Sequence, residues 1–112
     1  MEHPLKCVVT VRIYGQCKCF GPGVAELLEH VDASHSLRQA TLRMNMAYSK
    51  AWRMLKTAEE NLGFSLLCST TGGLGGGGAT LTEAGRRLLT SYRALESAVS
   101  AYADEAFLEF IG

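Results

Sequence analysis

The sequence predicts an α+β fold in which a strand hairpin, three helices, a second hairpin and one long helix follow in turn. Three observations predict it. The chain has 112 residues, of which 47% are hydrophobic and 20% charged. That is enough apolar material for one packed domain over residues 1–112, and too little charge for a disordered tail. The apolar residues change from alternation, with period two, to i, i+3, i+4 spacing, with period near 3.6. Glycine, proline, asparagine and serine fall where the period changes.

The first hairpin is expected over 5–20. Residues 6–14, Lys-Cys-Val-Val-Thr-Val-Arg-Ile-Tyr, alternate and are rich in β-branched types. Gly15-Gln16 turns, and Cys17 to Phe20 returns. Gly21-Pro22-Gly23 opens a helix whose apolar face is Val24, Leu27, Leu28 and Val31. Its other face carries Glu26, Glu29 and Asp32, which suits it poorly to a polyanion. Ser36 is the expected N-cap of a short helix from Leu37 to about Met44. Asn45 sits where a tight turn needs a left-handed residue. A third helix is expected from Ala47 to Leu62, with an inward stripe of Tyr48, Ala51, Trp52, Leu55, Ala58 and Leu62, ended by Gly63. These helices form one unit over 22–62. Phe64 to Ser69 and Ala79 to Leu81 are expected to pair around a loop holding six glycines between positions 72 and 78, a second hairpin over 64–81. Thr82 caps the last helix, over 82–110. Leu88, Tyr92, Leu95, Val99, Tyr102 and Ala106 recur on it at 4-3-4-3-4 spacing, a heptad-like seam. Such a helix would be roughly 40 Å long, more than a domain this small requires. The seam is therefore expected to bury against a second copy in a two-fold homodimer.

Two short helices joined by a tight turn, followed by a hairpin with a long tip, make a winged helix-turn-helix. That plan lays the later helix in the major groove of double-stranded DNA and the wing along the backbone. Formal net charge is zero, yet Arg38, Arg43, Lys50, Arg53 and Lys56 fall between Ser36 and Ala58 with no acid among them. Ser49, Arg53, Lys56 and Glu60 share the helix face opposite the apolar stripe, and Lys50 flanks them. Lysine and arginine bind phosphates and guanine edges. The expected DNA contacts are thus Ser36, Arg38, Ser49, Lys50, Arg53 and Lys56. Gly73, Gly75, Gly76 and Gly77 in the wing tip join them, because bare backbone can approach DNA closely. Ser36 also offers the N-terminus of its helix to a phosphate. Tyr48 and Trp52, four apart on an apolar stripe, read as core rather than as base-stacking platforms.

Other classes fit less well. Met1 to Lys6 is no signal peptide, and no run of 18 uncharged apolar residues exists, which points to the cytoplasm and away from a membrane. Gly73-x-Gly75-x-x-Gly78 matches a dinucleotide fingerprint but lacks the βαβ unit that gives the pattern meaning, and no G-K-[ST] makes it a phosphate loop. His3, His30 and His35 have no evident nucleophile partner, so no enzyme is expected. Glu59 and Glu60, adjacent on a helix, point apart and are expected to be solvated. Cys7, Cys17, Cys19 and Cys68 read as reduced thiols. Cys17-Lys18-Cys19 is a C-x-C rather than a zinc-type C-x-x-C, so neither metal nor cofactor is expected. A metal- or redox-responsive use of Cys7, Cys17 and Cys19 is the rival reading there.

The run Thr71-Gly72-Gly73-Leu74-Gly75-Gly76-Gly77-Gly78-Ala79-Thr80-Leu81-Thr82-Glu83-Ala84-Gly85 resembles the wing of ModE-type molybdate-dependent transcriptional regulators. So do Ser36-Leu37-Arg38-Gln39-Ala40, Met46 to Trp52, and the opening hairpin with Phe20-Gly21-Pro22-Gly23. The resemblance covers about residues 5 to 100. It implies an N-terminal, LysR-like winged helix-turn-helix domain that binds DNA and dimerises through its hairpin and long helix. Family members add C-terminal molybdate-binding domains, for which this chain has no room; a stand-alone relative without molybdate is expected. Four positions depart from the family pattern. Ser69 stands for arginine, Leu74 for lysine, Ser49 for a second basic residue, and Ala47 for a serine cap. Fewer cations mean weaker, less salt-dependent DNA binding. A dimeric interaction protein with weak or lost DNA binding is accordingly the alternative.

Overall fold

Eight elements make the fold, and a computed structural model of the chain describes residues 4–70 and 78–112. They are β1 (Ile13–Tyr14), β2 (Lys18–Phe20), α1 (Pro22–Ser34), α2 (Leu37–Arg43), α3 (Tyr48–Leu62), β3 (Leu67–Thr70), β4 (Gly78–Leu81) and α4 (Glu83–Phe110). The winged helix-turn-helix plan is present. α2 and α3 are joined by a short turn, the β3–β4 hairpin follows as the wing, and α4 closes the chain. Gly73, Gly75, Gly76 and Gly77 lie outside the described residues, as do His3 and Leu74.

The helix ends follow local chemistry. Pro22 opens α1, where its missing N–H is no loss. His35 ends that helix in the left-handed region, at φ 57°, with its N–H on the Val31 carbonyl. Ser36 caps α2, its hydroxyl accepting from the Gln39 N–H at 3.1 Å. Asn45 takes the expected left-handed conformation between α2 and α3, at φ 52°. α3 begins at Ala47 with no side-chain cap and ends at Gly63, at φ 84°. Thr82 caps α4 by accepting from the Gly85 N–H, and its own hydroxyl donates to the Ser65 carbonyl. A side chain at Gly85 would place its Cβ 2.6 Å from the Leu66 carbonyl oxygen, so α4 starts tight against the wing.

The core lies where α1, α3, β2 and the start of α4 meet. Val24, Ala25, Leu27, Leu28 and Val31 of α1 are buried, as the 3.6-residue pattern requires. Phe20 and Tyr92 meet edge to face, with ring centroids 5.0 Å apart. Tyr92, only 1% exposed, donates its hydroxyl to the Val11 carbonyl at 2.6 Å. Burial, and next the charge of Glu96, raises the pKa of its phenol. The α4 face that packs inward is Gly85, Leu89 and Tyr92. Tyr92 is therefore committed to its own chain, and the seam expected from heptad spacing loses that residue. Leu95 and Tyr102 are exposed, while Leu88, Val99 and Ala106 are half-buried.

Two strands are shorter than expected. Residues 6–14 alternate, but the returning strand has three residues, so only Ile13 and Tyr14 find partners. Among the described residues no strand pairs with the arm before them, and Leu5 and Val8 stand exposed. Likewise β3 starts at Leu67 rather than Phe64. Leu66 is held elsewhere: its N–H donates to the Glu59 carboxylate at 2.8 Å, and its carbonyl accepts from Thr82 N–H at 2.9 Å. Glu59 thus ties α3 to the wing instead of being solvated. Cys19 lies within β2 and is buried, whereas Cys17 lies in the turn before it and is exposed. Among the described residues no three His, Cys, Asp or Glu side chains converge as a metal site would require. No described helix is long and apolar enough to cross a membrane.

Candidate nucleic-acid interface

The outer surface of α3 is built by its own pitch. Ala51, Leu55 and Ala58 are buried, which centres the apolar stripe among them. At 100° per residue, Ser49, Arg53, Lys56 and Glu60 point away from it, and all are exposed. By the same pitch Tyr48 falls roughly 55° and Trp52 roughly 95° from the stripe's centre. They sit at its edge rather than in it, 39% and 51% exposed. The expected inward stripe is corrected here: it is centred on Ala51, Leu55 and Ala58, and the half-buried Met54 packs on the edge opposite these aromatics.

Both exposed rings carry a cation. The Arg38 guanidinium of α2 lies 5.1 Å from the Tyr48 ring centroid, and the Lys56 ammonium lies 5.2 Å from that of Trp52. Such contacts hold a flexible cation over a fixed ring without neutralising it. Arg38, Ser49, Trp52 and Arg53 line one shallow surface with Tyr48. Beyond it, a groove of about 410 Å³ runs between α2, α3 and the wing, bordered by Ser36, Arg38, Trp52, Lys56 and Ser69. The Ser36 hydroxyl at its end is engaged as the α2 cap. On the other side of α3, Lys50 and Arg53 border a second groove, against the first hairpin.

Charge pairing divides the molecule. Arg93 of α4 makes a two-pronged contact with Glu29 of α1 at 2.8 and 2.9 Å and also reaches Glu96 at 2.7 Å. Arg86 grips Asp32 at 2.8 and 3.1 Å. Hydrogen bonds from the arginines hold both carboxylates below their ordinary pKa. Arg87 pairs with Glu83, and His30 lies 3.6 Å from Glu26. Every one of these pairs is on α1 or α4. Among the described residues, Arg38, Arg43, Lys50, Arg53 and Lys56 make no ion pair. Arg38, Ser49, Arg53 and Lys56 therefore share the exposed outer side of α3, and Lys50 stands exposed on its flank toward the first hairpin.

Sequence reasoning did not place Tyr48 and Trp52 on this face. The i, i+4 spacing of Trp52 and Lys56 was the available signal. It also passed over Arg12 and Lys18, whose chain positions lie far from α3 and which the fold brings to its flank.

A winged helix-turn-helix that presents an unneutralised cationic helix belongs to the class of regulatory helix-turn-helix domains. Residues 24–86 match the bacterial regulatory helix-turn-helix proteins of the lysR family, and the chain belongs to that family. It is also similar to a molybdenum transport protein ModE of Azotobacter vinelandii, 36% identical over 62% of this chain and 26% of the relative. A DNA-binding transcriptional dual regulator ModE of Escherichia coli is 35% identical over 63% of this chain and 27% of the relative. A transcriptional regulator ModE of Haemophilus influenzae is 32% identical over 80% and 34%. The chain thus matches about a quarter to a third of the length of these curated relatives.

Proposed function

We propose that the chain binds double-stranded DNA sequence-specifically and regulates transcription in the cytoplasm, with α3 as the reading helix in the major groove. One observation carries the reading. Arg38, Arg53 and Lys56, with Lys50 on their flank, stand exposed and make no ion pair among the described residues, while the arginines of α4 meet carboxylates of α1 and α4. A protein gains nothing in stability from clustering like charges; the arrangement suits a polyanionic partner, whose condensed counterions are released on contact. Arg53 and Lys50 project from α3 toward base edges or phosphates, Ser49 adds a hydroxyl, and Arg38 and Lys56 meet phosphates. Gly73, Gly75, Gly76 and Gly77 would bring bare wing backbone to the duplex. The printed description of the Escherichia coli relative as a DNA-binding regulator supports the same reading. The molybdenum named for other relatives is not carried to this chain. The reading assigns no catalytic residue, cofactor or metal.

A two-fold homodimer is part of the proposal. It rests on the second half of α4, where Tyr102 is 72% and Leu108 71% exposed. Leu88, Leu95, Val99 and Ala106 lie along the same helix. Two copies joined there would present two reading helices to a pseudo-palindromic site. Sedimentation as a monomer at micromolar concentration would remove this part. The same apolar surface favours a second reading, a dimeric interaction protein with weak DNA binding. The deciding experiment is binding to a duplex from the gene's own upstream region against a scrambled duplex, over ~50–200 mM salt. Preferential binding with a steep salt slope is expected. Equal, weak binding to both duplexes would favour the interaction protein.

A further inference from the structure

The groove on the other flank of α3 carries chemistry that the reading helix alone does not explain. It has a volume of about 610 Å³ and lies between the first hairpin and α3. Arg12, Lys18, Lys50 and Arg53 border it, over a floor that includes Phe20 and Met54. Arg12 and Lys18 are exposed and make no ion pair among the described residues. The hairpin that carries them is anchored. Phe20 and Cys19 are buried in the core. At its turn, the Gln16 N–H donates to Asn61 Oδ1 of α3 at 2.8 Å, and the Cys17 N–H to the same oxygen at 3.4 Å. Asn61 in turn donates to the Thr57 carbonyl, so the acceptor is itself fixed on α3. The Arg12 stem lies over Gly21, where an added Cβ would meet Arg12 Cγ at 3.5 Å.

A helix with its side chains is about 10–12 Å across, and the major groove of B-DNA is about 12 Å wide. A helix seated there has a phosphate strand close along each flank. Arg38, Lys56 and the wing serve one flank of α3. We infer that Arg12 and Lys18 of the first hairpin, with Lys50, form a second backbone-binding site that holds the phosphates of the opposite strand of the same duplex. The inference rests on the DNA reading above and extends it to an element that reading leaves unused. The ligand chemistry is the phosphodiester: repeated single negative charges, sequence-independent, met by point cations along a groove. Charge complementarity and continuity with α3 through Lys50 and Arg53 select this occupant over a second copy of the chain.

The test uses the full chain and a fluorescently labelled random-sequence duplex, because phosphate contacts need no particular sequence. Affinity is measured from ~50 to 200 mM salt for the natural protein and for the double variant Arg12→Ala, Lys18→Ala. Each lost phosphate contact lowers the log–log salt slope by about 0.9. Two lost contacts would make the variant about tenfold less salt-sensitive than the natural protein over that fourfold range. Arg12→Lys with Lys18→Arg keeps both charges and is expected to keep the slope. If that pair loses it as well, the effect belongs to hairpin packing and the inference falls. If Lys50→Ala, Arg53→Ala lowers the slope while Arg12→Ala, Lys18→Ala does not, the hairpin makes no backbone contact and only this inference falls. If the natural protein shows no salt-dependent binding, the DNA reading falls and takes the hairpin site with it.

Discussion

The α1–α4 face and the α2–α3 face are both crowded with charge, and they use it in opposite ways. On the first, Arg93 and Arg86 reach across between helices to Glu29 and Asp32, and their guanidinium groups are held above their ordinary pKa by those hydrogen bonds. On the second, Arg38 and Lys56 rest on aromatic rings, and no carboxylate neutralises them among the described residues. A formal net charge of zero averages over these two arrangements and describes neither. The long-range field near α3 depends on which cations have already been answered at close range. One face uses its charges to hold helices together, while the other leaves them available to a partner.

The largest expected effect breaks the second face and leaves the first intact. Lys50→Ala with Arg53→Ala removes two exposed cations that make no ion pair among the described residues. A direct contact of this kind is worth about 1–3 kcal/mol, so the double variant is expected to lose at least about thirtyfold in affinity for its upstream duplex. Its thermal midpoint should stay where it was. Unchanged DNA binding would mean that α3 is not the reading helix.

How much of this division was legible beforehand depends on where its causes lie. The five cations between Ser36 and Ala58 and the acids of α1 are local facts, visible in the sequence. So are the caps at Ser36, Gly63 and Thr82 and the left-handed turn at Asn45, since each depends on a residue's own backbone chemistry. What could not be read was long-range. Nothing in the sequence says that Arg93 meets Glu29, 64 positions away. The centre of the α3 stripe is fixed by what packs on it, and a shift of one residue's rotation moves Trp52 from inside to edge. Residues 6–12 have the composition of a strand, but pairing needs a partner, and β2 is too short to supply one. Tyr92 fits a heptad pattern equally well whether it faces a second copy or its own core; only the position of Val11 and Phe20 decides.

Trp52 offers a smaller effect that sharpens the comparison. It is the chain's single tryptophan and stands half-exposed under the Lys56 ammonium. Trp52→Ala should cost little stability, within about 0.5 kcal/mol as for other surface positions. It should weaken DNA binding about tenfold, the scale of one stacking or apolar base contact. In the natural protein, DNA should quench its fluorescence. A loss of several kcal/mol in stability would return Trp52 to the core. Tyr92→Phe is its counterpart on the other side. It removes the hydroxyl from the Val11 carbonyl and should cost about 1 kcal/mol in unfolding free energy, with DNA affinity unchanged. A DNA defect there would show that the arm carrying Val11 and Arg12 moves when its anchor is cut, and would couple the two faces.

The smallest effect concerns the pairs themselves and has a sign. The hydrogen bond from Arg93, before its charge, holds Glu29 below its ordinary value of 4.5. As pH falls, the unfolded chain takes up this proton before the folded one does. The stabilisation is therefore complete above about pH 4.5 and is lost as pH drops through the lower, folded value. Glu29→Gln lacks it at every pH. Solvent screens the pair, whose side chains are 38% and 45% exposed, so the gap between natural protein and variant should be only a few tenths of a kcal/mol at pH 7. That corresponds to about 1–2 °C in thermal midpoint, closing toward pH 3. A gap that persists at pH 3 would mean that Glu29 acts by packing rather than by charge. A gap of several kcal/mol would mean that the α1–α4 face is held by its ion pairs more than by Leu28, Val31 and Leu89 beneath them.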